Sequence, residues 1–64
     1  MAARKNFAVA YEAGLNLREE ASKEAKILAV LPFGEKVTID PKADVPEGWA
    51  AVSGGGFVMK EYLR

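Results

Sequence analysis

A chain of 64 residues, 28% charged and 50% apolar, has the make-up of one small soluble globular domain. Eleven of the apolar residues are alanine, so few large side chains remain for a core, and size alone excludes a second domain or a deep catalytic cleft. Nine basic and nine acidic residues cancel, and no basic run exceeds Arg4-Lys5, which excludes the clustered cations of a nucleic-acid binder.

The first six residues read as a flexible extension, with the folded domain at 7–64. They lack the apolar segment of a signal peptide, and no stretch of the chain approaches eighteen apolar residues, so membrane insertion is not expected. Two settings stay open: a protein that remains inside the cell, or an extracytoplasmic module belonging to a longer exported chain.

Next come short runs punctuated by glycine and proline. Phe7-Ala8-Val9-Ala10-Tyr11 alternates bulky and small side chains, as a half-buried strand does. Leu15-Asn16-Leu17-Arg18 alternates apolar and polar, with both leucines on one face. Residues 19–31, EEASKEAKILAVL, mostly favour helix. Ile27 to Leu31 is nevertheless a compact β-capable run, and a lone helix would interrupt a regular series of strands. The segment therefore divides into a charged loop at 19–26, with at most one helical turn around Ser22 to Ala25, and a strand at 27–31. Val37-Thr38-Ile39-Asp40 alternates again, and Trp49 to Val52 and Phe57 to Met59 complete the set. The link Ser53-Gly54-Gly55-Gly56 suits a hairpin turn, since glycine takes positive φ without steric cost. A phosphate-binding loop would need a following Gly-Lys-Ser/Thr at a helix start, and here a strand follows. The predicted fold is all-β: a small barrel of five to six short strands with one long charged loop.

Chemistry is scarce. Cysteine and histidine are both absent, which removes thiolate sites, the commonest general base and the commonest zinc ligand. Ser22, Ser53 and Thr38 have no histidine to activate them, and paired carboxylates would need a cleft that raises one pKa by burial. No catalytic residue, metal site or cofactor is expected, and the protein is read as not an enzyme.

The order Gly14-Leu15-Asn16-Leu17-Arg18, then Ile27 to Leu31 with Pro32-Phe33-Gly34-Glu35-Lys36-Val37, then Gly48-Trp49-Ala50-Ala51-Val52, then Gly56-Phe57-Val58 and Tyr62-Leu63 resembles the bacterial Src-homology-3 (SH3b) pattern. That pattern runs L-N-V-R, a loop, V-I-x-x-L-x-x-G-x-x-V, G-W-x-x-V, G-Y-V and a closing Y-L. The resemblance spans Phe7 to the C-terminus. One departure stands out: Glu19-Glu20-Ala21-Ser22 replaces the family's small residue followed by Gly-Pro-Ser, which makes the loop more acidic and less tightly turned.

The resemblance implies an SH3-like barrel acting as a non-catalytic recognition module of the kind that docks on cell-wall peptidoglycan, its peptides or its glycan. The alternative is an intramolecular or assembly module, in a phage particle or a hydrolase, that contacts a protein partner and has no free ligand. Trp49 is the leading candidate for ligand binding, with a large amphipathic face and an N–H donor; its other reading is a cover for one end of the barrel. Tyr62, Phe57, Met59 and Tyr11 would complete an aromatic strip. By similarity to eukaryotic members Phe57 and Tyr62 stand where groove aromatics occur, whereas Met59 replaces the usual groove proline and argues against a proline-rich ligand. Phe57 fits groove and core equally well. Glu12, Glu19, Glu20 and Glu24 would favour a cationic ligand if the loop flanked the groove, although an acidic run of this kind is more often plain solvated surface. Asn16 and Arg18 are outward strand positions, with Arg18 expected to pair with a nearby carboxylate.

Overall fold

Residues that alternate between glycine and proline breaks form strands, and this chain has little else. In the computed structural model, which describes residues 5–64, β1 (Lys5–Ala8), β2 (Leu15–Arg18), β3 (Ile27–Leu31), β4 (Lys36–Ile39), β5 (Trp49–Ala51) and β6 (Phe57–Met59) precede one 3-10 turn, Lys60–Tyr62. They build two antiparallel sheets, β1 with β4, and a four-stranded sheet in the order β3-β2-β6-β5. Isolated bridges Ile39–Val52 and Val9–Leu63 join the parts. The all-β expectation and its strand count hold.

β1 starts earlier than the alternation suggested. It pairs with β4 from Lys5 opposite Ile39 to Ala8 opposite Lys36, so two residues assigned to the extension belong to a strand. Residues 1–4 of that extension lie outside the described residues. The chain leaves the β1–β4 sheet at Val9, whose N–H donates to the Glu35 carbonyl at 2.9 Å, and the next N–H, of Ala10, reaches the Tyr62 carbonyl at 2.7 Å.

In the segment with helical propensity, the tertiary partner wins. Ile27 to Leu31 pairs antiparallel with β2, Leu15 opposite Leu31 and Leu17 opposite Ala29, with a bulge between Leu17 and Arg18. A short helix is marginal in water, whereas a strand beside β2 satisfies its backbone in a ladder. Residues 19–26 are a loop, closed by the Glu19 N–H on the Lys26 carbonyl at 2.8 Å and a turn from Ser22 to Ala25.

The inward faces of the strands supply the core: Val9, Leu15, Val37, Ile39, Ala50 and Val58 are buried, and Phe7, Leu17, Leu31, Val52, Tyr62 and Leu63 pack around them. Val58 has no exposed surface, and its neighbours Phe57 and Met59 are only half-buried, the period-two signature of a sheet with one wet face. The β5–β6 hairpin closes through the Val52 N–H on the Gly56 carbonyl, 2.9 Å, and the Gly55 N–H on the Val52 carbonyl, 3.0 Å.

Candidate functional site

Two depressions mark the wet face, and the five candidate residues divide between them. The first, about 220 Å³, is lined by Tyr11, Gly14, Leu15, Asn16, Arg18, Lys23, Met59 and Tyr62. Its aromatic wall follows from the backbone. The Ala10–Tyr62 hydrogen bond brings the chain just before Tyr11 against the end of the 3-10 turn, and the two rings then meet with centroids 4.7 Å apart at 38°. That is a favourable tilted aromatic pair. Tyr11 stays 47% exposed, so one ring of the pair offers its face to solvent.

The second depression, about 280 Å³, is lined by Trp49 together with Phe7, Ile39, Asp40, Pro41, Ala43, Val45, Ala50, Ala51 and Lys60. Its far wall is the loop after β4, pinned by the Lys42 N–H on the Asp40 carboxylate at 3.0 Å. Trp49 therefore does not share a depression with the tyrosines. The link is Met59, directly opposite Trp49 in the β5–β6 register, where side chains of paired residues stand side by side on one face. Phe57 lies opposite both Ala51 and Arg18 on that outer face and lines neither of these two depressions.

Of the two sequence readings of the glutamates, the structure fits plain solvated surface. Glu12, Glu19, Glu20 and Glu24 are exposed and line neither depression. The charged groups that do line the first are Arg18 and Lys23, which favour a ligand carboxylate. Among the described residues Arg18 pairs with no carboxylate: its guanidinium donates to the Ala25 carbonyl at 3.0 Å, which ties the 19–26 loop to β2. Alternation already marked Arg18 as outward-facing. Lys23 gave no sequence signal, because its approach depends on the Ser22–Ala25 turn.

The Tyr62 phenol sits above its ordinary pKa of 10.0, chiefly because the nearby Glu61 carboxylate disfavours a second negative charge, with burial adding to this. It is a neutral O–H donor across the physiological range. In a Tyr11→Phe variant, where Tyr62 is the sole tyrosine, alkaline absorbance titration should place its ionisation above 10.0, and adding Glu61→Gln should bring it back down. An unshifted midpoint in Tyr11→Phe would remove Glu61 from the account.

No curated protein matches the chain. A family profile described as the bacterial SH3 domain matches residues 13–64, from just before β2 to the end, and so takes in both sides of the tyrosine groove except Tyr11. With six short antiparallel strands closed in two sheets and most of its length under that profile, this chain belongs to the bacterial SH3 domain family, a family of binding modules.

Proposed function

We propose that the domain docks on bacterial cell walls by holding a carboxylate-bearing wall peptide in the groove between Tyr11, Tyr62 and Met59. The observation that carries this reading is the tilted tyrosine pair at 4.7 Å in a groove whose charged lining is Arg18 and Lys23. The rings supply apolar contact area at low conformational cost, and the cations select an anionic end. Asn16 adds an amide that both donates and accepts. Trp49, reached across Met59, extends the contact for a ligand longer than one residue, and Phe57 borders it on the outer face.

Purified walls in a pull-down provide the test. Tyr11→Ala should weaken retention at least about tenfold, the scale of losing one aromatic anchor, with folding intact because the ring is half-exposed. Lys23→Glu should weaken it too, and most at low salt, since exposed charges act over a screened range. Glu19→Gln combined with Glu20→Gln should leave it nearly unchanged. Failure of the wild type to bind walls from any bacterium tested would discard this reading in favour of a protein-interaction module.

A further inference from the structure

β3 is the outer strand of the four-stranded sheet, with β2 as its one partner among the described residues. Along it Ile27, Leu28 and Val30 are 46%, 49% and 58% exposed, and Phe33 just beyond is 59% exposed. From Ile27 to Phe33 no residue is charged. The backbone is open as well. The Glu19 N–H bonds to the Lys26 carbonyl, which makes Arg18 and Ile27 a non-hydrogen-bonded pair, so the N–H and C=O of Ile27 point away from β2. An apolar edge strand of this kind is a template for another strand.

We propose that this edge pairs with the same edge of a second copy of the chain, antiparallel, joining two four-stranded sheets into one. Charge selects both occupant and direction. Exposed Lys26 stands immediately before the apolar run and exposed Glu35 just after it. Antiparallel self-pairing brings Lys26 of each copy towards the Pro32–Glu35 turn that follows the strand in the other. Parallel pairing would set lysine beside lysine and glutamate beside glutamate. The zero net charge of the chain leaves no overall repulsion between copies, and a two-fold arrangement uses each contact twice. The proline at 32, which has no N–H, ends the pairing at the close of β3, and the bulge that leaves Leu28 unpaired bends the strand near its start. A short interface of this sort gives a weak, reversible dimer.

Sedimentation equilibrium of the whole chain, without wall material, tests it. The mass should rise from the monomer's 6.9 kDa towards the dimer as concentration rises from about 10 µM to about 1 mM. Lys26→Glu and Glu35→Lys should each weaken association on the order of tenfold, because each turns attraction between the strand ends into repulsion at both ends of the two-fold pair. Mixing the two variants should restore it, since the mixed pair sets two glutamates against two lysines; the double variant should restore it as well. Tyr11→Ala, on the groove, should leave association unchanged, so failure here and failure of wall binding are separate results. A monomer throughout that range overturns the proposal, as does a dimer indifferent to both single charge reversals.

Discussion

Leu15→Ala should remove about 2–5 kcal/mol of folding free energy, the range for truncating a large buried aliphatic side chain. Leu15 is 3% exposed and packs among Val9, Val37, Ile39, Ala50 and Val58, drawn from four other segments of the chain. A domain of this length holds only roughly 3–10 kcal/mol in total. The variant should therefore melt at least ~10 °C lower or show no cooperative transition at all. Val30→Ala is the comparison, on the neighbouring strand but 58% exposed, and should stay within about 0.5 kcal/mol of the parent. Equal melting temperatures for the two would mean that the β2–β3 hairpin turns its other face inward.

Gly56→Ala should cost about 2–4 kcal/mol, from two separable causes. Gly56 has φ of 93°, and a Cβ there would stand 2.5 Å from Leu17 Cδ1 and 2.8 Å from its Cγ. Leu17 lies partly buried against the core, so it cannot retreat without opening the seam between β2 and the β5–β6 hairpin. Gly54→Ala isolates the first cause: φ is 100° with nothing within 4 Å of the added carbon, so only backbone strain of about 1–2 kcal/mol remains. Urea midpoints should rank parent, Gly54→Ala, Gly56→Ala. If the two variants unfold together, the Leu17 contact plays no part.

The sequence disclosed what depends on local pattern. Leu15-Asn16-Leu17-Arg18 announced its faces, three glycines announced the β5–β6 turn, and Ile27 to Leu31 was recognisable as a strand despite the helix-favouring residues before it. The grouping of the aromatic residues was not legible. Tyr11 and Tyr62 meet through a single Ala10–Tyr62 backbone bond between opposite ends of the chain, and no periodicity encodes such a contact. Trp49 and the tyrosines fall on two sides of Met59 for the same reason, since the β5–β6 register and the loop after β4 decide which wall each ring joins. The sign of the groove was hidden too. The glutamates of the 19–26 loop were legible as solvated surface, but nothing in the sequence showed that the Arg18–Ala25 bond fixes the loop beside a groove whose charged lining is Arg18 and Lys23. β1 was shifted because alternation cannot show where a partner strand begins and ends: β4 reaches back to Lys5, and past Ala8 the chain bridges Leu63 on its other side.

The closing contact at Val9 and Leu63 also governs how the domain bears tension. Ala8 and Arg64 exchange two backbone hydrogen bonds, 3.0 and 2.8 Å, and Lys5 lies three residues farther along β1, about 10 Å away at the usual rise of a strand. The two segments run antiparallel, so a pull on the chain at Lys5 and at Arg64 starts from the same end of the pair. Such a load peels the bonds apart one after another, where a pull from opposite ends would shear them all at once. Strung between an anchored partner and a moving one, the domain would yield early under force, opening at its own seam before the load reached the sheet behind the tyrosines.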